Sequence, residues 1–166
     1  MTPQVIARYA AGGPILSYAV SGLTAVQESA RPGPGDWSLG QVVAHILDAD
    51  LVFSDRVKRV LAEENPTLQP FAEDAWIDRL PAGPTSEAAE LFVANRRHIL
   101  RLLERATAAD FARAGLHPEA GRLTLAALVA KAVGHLDHHL RFLYGKRANL
   151  GVAIAPHYAP LDSTTR

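Results

Sequence analysis

Cysteine is absent from the 166 residues and methionine occurs only as Met1. The first absence excludes disulfides, thiolate metal sites and a cysteine nucleophile, and it is compatible with a reducing compartment. An excess of either charge is missing too: seventeen basic and seventeen acidic side chains cancel. The chain therefore offers no electrostatic footprint for a nucleic-acid backbone or an anionic membrane, and neither partner is expected. No apolar run approaches the eighteen or so residues of a membrane span. The stretch after Arg8 imitates a secretory signal, but Gly12, Gly13 and Pro14 interrupt it. A soluble cytoplasmic protein is the expectation.

Also missing is any run of alternating Val, Ile, Thr and aromatic residues long enough for a sheet, which leaves an all-α fold. With 48% hydrophobic residues the chain can bury one core and is too short for two comfortable ones. It reads as a single domain over 1–166, with a core from about 10 to 145 and a tail over 146–166.

Four helical patterns are present. The first starts near Gly13-Pro14, where proline suits an initial position. It carries Leu16, Val20, Leu23 and Val26 and stops at the breakers Arg31-Pro32-Gly33-Pro34-Gly35; a short helix over Val5 to Ala11 precedes it. The second opens on Ser38 as N-cap and runs through Val42, His45, Ile46, Ala49, Phe53, Val57 and Val60 to about Glu64. A long crossover with four prolines follows between Asn65 and Thr85, holding a helical turn around Glu73 to Leu80. A loop of that length is functional or a topological necessity.

The third helix begins at Thr85 or, preferably, Ser86, with Leu91, Ala94, His98 or Ile99, and Leu102 as its apolar face. An irregular stretch from Ala106 to Leu123 leads to Thr124, which caps a fourth helix ending at Gly145. The connection lengths predict a four-helix bundle with at least one non-sequential connection.

Three histidines stand out. His135 and His139 are four apart, so they share one helix face, and His45 lies among Val42, Val43, Ile46 and Leu47 of another helix. Three neutral nitrogen donors and a free coordination position make an open divalent-metal site. A histidine on an apolar face is also what a satisfied core residue looks like, and the spacing alone leaves both readings standing. His138 shares a face with His135 at i,i+3 and is the alternate ligand. There is no His-Glu-x-x-His, no Glu-x-x-His and no Gly-x-Ser-x-Gly, so a zincin, a carboxylate di-iron site and a hydrolase elbow are not indicated. Gly33-x-Gly35-x-x-Ser38 lacks a third glycine and a preceding strand, so it reads as a helix connection rather than a phosphate cradle.

The segments Gly13-Pro14-Ile15-Leu16, Pro34-Gly35-Asp36-Trp37-Ser38, Val43-Ala44-His45-Ile46-Leu47-Asp48, Asn65-Pro66-Thr67-Leu68, Asp74-Ala75-Trp76, His117-Pro118-Glu119 and Gly134-His135-Leu136-Asp137-His138-His139-Leu140 resemble, in that order, the DinB/YfiT-like superfamily of metalloenzymes. The resemblance spans Ala10 to Tyr144. It implies an up-down-down-up four-helix bundle and maps the family's three-histidine metal site onto His45, His135 and His139. It further implies zinc or nickel, and kinship with thiol-dependent S-transferases and a mycothiol-dependent isomerase, so a low-molecular-weight thiol is a candidate co-substrate. The family name records induction by DNA damage and implies no DNA binding. Relatives often carry glutamine three residues beyond the last ligand, where this chain has Phe142. Family habit, with more apolar residues in helices one and four than one bundle face needs, predicts a homodimer.

Around the triad the expectations are plainer. Asp48, one turn past His45, is either a carboxylate orienting a ligand or a solvated side chain. Asp137 is rotated off the ligand face and is expected to be exposed or at an interface. Trp37 and Trp76 are read as loop anchors that could also line a substrate pocket. Arg96 and Arg97 are expected on a solvated face. His98, His117 and His157 receive no role. Three functions stay open: a metal-dependent enzyme, acting by hydrolysis or by thiolate transfer; a metal-binding stress or sequestration protein; and a structural bundle with a vestigial site. No carboxylate base stands beside the ligands in sequence, which favours thiolate activation over hydrolysis.

Overall fold

The computed structural model describes residues 1–32 and 37–157. Most of the breaker cluster, the glycines of the phosphate-cradle pattern and the start of the Pro34-Gly35-Asp36 motif lie outside the described residues, as does the end of the tail. Helix α1 (Pro3–Val20) is one element and not two. Pro14 sits inside it on the exposed face, where the carbonyl that loses its partner can be hydrated. Gly12 and Gly13 do not break the helix; they let it approach its neighbours. A Cβ on Gly12 would stand 2.9 Å from Leu136 Cδ2, and one on Gly13 would stand 3.1 Å from Val93 Cγ2. The helix stops at Val20, and Val26 belongs instead to a separate helix, α2 (Ala25–Ser29), opened by a Thr24/Gln27 capping box.

Helix α3 (Leu39–Ala62) starts on the Ser38 cap as expected, with Gln41 closing the box. It ends before Asn65, which takes a left-handed φ of 49°. The crossover contains α4 (Glu73–Arg79). Helix α5 (Thr85–Leu103) begins at Thr85 rather than at the preferred Ser86, with Pro84 in the N-cap position. The capping acceptor comes from elsewhere: the Glu28 carboxylate accepts from Thr85 N (3.3 Å) and Thr85 Oγ1 (2.6 Å). The buried face of α5 is Ala89, Phe92, Arg96, Ile99 and Leu103; Ile99 lies on it as expected, whereas Leu91, Ala94 and Leu102 do not, and Leu91 is half exposed.

The stretch expected to be irregular holds α6 (Ala108–Ala112) and an antiparallel hairpin, β1 (Ala114–His117) and β2 (Gly121–Thr124). Four residues per strand give too little alternation to read. Thr124 caps α7 (Leu125–Asn149), which passes through Gly145 for a further turn.

Helices α1 and α3 each pack on both α5 and α7, so α1 lies diagonally across the bundle from α3. Consecutive long helices are thus not all neighbours: α1 and α3 lie across the bundle from each other, whereas α3 and α5, which the long crossover joins, pack directly together. One core cluster gathers Leu16, Val43, Ile46, Phe92, Leu136 and Leu140, and the other Val57, Leu68, Ile99, Leu125, Leu128 and Val129. The crossover is sewn to the hairpin. Leu68 N donates to Leu116 O and Leu116 N to Pro66 O, at 2.9 and 2.8 Å. Gly115 has to lack a side chain there, because a Cβ would lie 2.7 Å from Leu68 Cδ2. Among the described residues no helix is long and apolar enough to cross a membrane.

Candidate metal centre

Helix α3 contributes His45 and α7 contributes His135 and His139, and their Nε2 atoms converge. His45 Nε2 lies 3.0 Å from His135 Nε2 and 3.1 Å from His139 Nε2. Among the described residues these three form the group able to hold a metal, with donor atoms all within 4.8 Å of one another. An ion bound at about 2.0–2.1 Å from each nitrogen in a tetrahedral shell spaces the donors by roughly 3.3 Å, so the rings need only a few tenths of an ångström of outward movement.

The electrostatics suit a cation. Burial, reinforced by His139 and His45, pushes His135 down to about 3, and burial with His45 and His138 pushes His139 down to about 4. Burial lowers His45 as well. The rings are therefore neutral at pH 7, with lone pairs available at one point.

Aromatic rings pack around the three imidazoles. Trp37 lies 5.0 Å from the His45 ring and stacks on His139 at 6.3 Å; Phe71 stacks on His45 at 5.8 Å, and Phe53 meets His135 edge-on at 6.1 Å. Trp76 is one contact further out, edge-on to Phe71. His45 Nδ1 is buried without a hydrogen-bond partner, so Asp48 does not orient this ring. The Asp48 carboxyl is half-buried, and burial raises its pKa. His138 is exposed and packs edge-on against His139 and Phe142, outside the convergent set.

The residue that sequence reasoning missed is Glu73. Its Oε2 stands 3.9 Å from His45 Nε2, delivered by α4 from the middle of the crossover. No local spacing links it to the histidines; the one available signal was that so long a crossover must cover something. The premise that no carboxylate stands beside the ligands is thereby corrected.

Two further expectations are reversed. Arg96 is buried, not solvated: its Nε donates to Asp50 Oδ1 at 2.6 Å and its Nη2 to Ala132 O at 3.0 Å, while its guanidinium lies over the Tyr9 ring at 4.0 Å. Asp137 is buried too, paired with Arg8 of α1; turning off the ligand face brought it to a neighbouring helix rather than to water. Arg97 and His98 are exposed. The tail docks as far as residue 157: Arg147 Nη1 donates to Ala19 O and Ser21 O, Arg147 Nε to Val152 O, and His157 stacks on Tyr18 at 3.9 Å. A cleft of about 240 Å³ opens beside His135, walled by Phe53, Phe71 and Glu73 and reaching Arg56 and His117.

Over residues 11–143 the chain matches the DinB superfamily. A protein of Geobacillus kaustophilus (strain HTA426) named as a putative metal-dependent hydrolase is 36% identical over 128 residues, which are 75% of this chain and 71% of that protein. One of Bacillus mycoides (strain KBAB4) bearing the same description is 30% identical over 118 residues, 70% of this chain and 68% of that one. Among solved structures, YfiT from Bacillus subtilis, described as a probable metal-dependent hydrolase with an unusual four-helix bundle topology, superposes with a TM-score of 0.82 at 27% identity, over 89% of this chain and 86% of YfiT. The DinB-like protein YjoA from the same organism shares the fold, with a TM-score of 0.69 at 17% identity over 93% and 96% of the two chains.

Proposed function

Because the chain belongs to the DinB superfamily, we propose that it is a metal-dependent hydrolase of a small molecule, with His45, His135 and His139 as metal ligands and Glu73 as general base. The observation that carries this reading is the carboxylate 3.9 Å from a nitrogen of the convergent triad. All-nitrogen donors of this kind suit zinc or nickel. A bound divalent ion supplies Lewis acidity toward a carbonyl and toward water.

The chain supplies the rest. Glu73 is exposed on the side of the cleft, where it can take a proton from water and return it to a leaving group. Phe53, Phe71 and Trp37 hold the imidazoles by contact alone and narrow the access of bulk solvent. His135 and His139 are only half-buried, and the cleft beside His135 gives a substrate room to approach. This favours turnover over sequestration, for which a closed polar shell would be expected.

The test begins with elemental analysis of protein purified without chelator or histidine tag. Hydrolysis of a panel of small esters and amides is then compared for wild type and Glu73→Gln. The expected result is metal-dependent hydrolysis that falls by roughly 10²–10⁴-fold in Glu73→Gln while metal affinity changes only a few-fold. Full activity in that variant would remove Glu73 from the mechanism. Turnover that requires an added small thiol would replace hydrolysis by thiol transfer on the same site.

A further inference from the structure

The cleft beside His135 reaches a buried guanidinium, that of Arg56. Arg56 on α3 is only 8% exposed, and among the described residues no carboxylate lies within ion-pair distance of it. Its Nη2 donates to Gln69 O, its Cζ lies 5.8 Å from the Phe53 ring, and its Nε is buried without any hydrogen-bond partner. A buried guanidinium with an idle donor is costly unless something pairs with it.

His117 adds a second, independent sign. Its Nδ1 accepts from Glu119 N and Ala120 N at 3.2 and 3.3 Å. In a neutral ring that pattern leaves the proton on Nε2. Nε2 lies 3.2 Å from Arg56 Nη2, so two N–H donors face each other with no acceptor between them. An oxyanion placed beside the pair would satisfy both groups.

We infer that Arg56 and His117 form a subsite for a carboxylate of the substrate, set apart from the bond that is cleaved. Phe53 lies between the two ends, 6.1 Å from the His135 ring and 5.8 Å from Arg56, so the substrate carries a short apolar spacer between its carboxylate and its reacting carbonyl. Glu73 and Glu119 also line the cleft and are exposed. Two negative groups there favour a singly charged carboxylate over a doubly charged phosphate. The placement of the reacting bond rests on the hydrolase reading, whereas the anion subsite does not.

The test therefore starts with the full-length protein in its metal-free form, using 3-phenylpropionate and 3-phenylpropionamide, which share a shape and differ in charge. Binding is followed by NMR titration. The wild type is expected to bind the acid about tenfold or more tightly than the amide, in keeping with a charge-assisted contact. Arg56→Met should abolish the difference, and Arg56→Lys, which keeps the charge and loses the fork, should retain part of it. The metal-loaded protein should show the same Arg56-dependent preference. Equal binding of acid and amide, or none, would overturn the proposal. So would a preference that survives in Arg56→Met, one that appears only with metal, or tighter binding of inorganic phosphate. A protein that binds no metal would sink the hydrolase reading and leave this measurement intact.

Discussion

Arg96 and Asp50 form a buried ion pair between α5 and α3, Nε to Oδ1 at 2.6 Å, and neither side chain is more than 3% exposed. Asn95 Nδ2 donates to the other carboxylate oxygen at 2.7 Å and to Ser54 Oγ at 2.8 Å. Burial raises the Asp50 pKa, and Arg96 and Asn95 oppose that rise. Arg96→Met should leave the carboxylate without its cation and cost about 3–5 kcal/mol, lowering Tm by roughly 6–20 °C for a chain of this size. The double variant Arg96→Met/Asp50→Leu should recover part of the loss. Thermal unfolding of the three proteins checks this, and a single variant as stable as wild type would refute it.

The two adjacent histidines of α7 should separate cleanly. His139→Ala and His45→Ala each remove one convergent nitrogen, and divalent-metal affinity should fall by orders of magnitude. His138→Ala should leave metal content unchanged, since its ring lies on the exposed face. All three should keep the helical circular dichroism spectrum, because the surrounding core is apolar. Equal losses at His138 and His139 would show that the ligand set is wrong.

Acid should destabilise the metal-free protein from mildly acidic pH downward. The folded-state pKa of His135 is pushed down to about 3 and that of His139 to about 4, against about 6.5 in the unfolded chain. The unfolded state then binds more protons below pH 6.5. The stability contributed by keeping these rings neutral is full above that pH and drains away as pH falls toward 4. Urea midpoints measured in chelator should drop between pH 7 and pH 5, and the drop should shrink in His135→Asn/His139→Asn.

Glycine substitutions should take opposite signs along the bundle. Gly12→Ala puts a Cβ 2.9 Å from Leu136 Cδ2 and 3.1 Å from Arg96 Nη1, and overpacking of that kind costs about 1–3 kcal/mol. At Gly134 and Gly145, inside α7, nothing lies within 4 Å of the place a Cβ would take. Alanine there should stabilise by about 0.5–1 kcal/mol. Chemical denaturation distinguishes the two classes.

The readable parts of this chain are those encoded locally. The Ser38 and Thr124 caps, the bundle and the i,i+4 pair on α7 follow from neighbours within one turn of helix. What escapes a reading of the sequence is settled by distant partners. Arg96 and Asp137 look like surface charges until Asp50 and Arg8 arrive from other helices. Gly12 and Gly13 read as breakers because a sequence does not show the helix that will press against them. Glu73 could not be assigned to the site because a crossover, and no periodicity, carries it there.

That division of labour bears on how such a scaffold changes its chemistry. The nitrogen donors stand on two long helices, whereas Glu73 and Phe71 arrive on a segment whose backbone is bonded to the β1–β2 hairpin. Insertions, deletions or exchanges between residues 65 and 84 can therefore replace Glu73, the proposed general base, and one aromatic wall as a cassette while the two histidine-bearing helices go untouched. Swapping that cassette between relatives is then a route to new reactions on one metal-binding frame, and the hairpin strand that grips it sets which cassettes fit.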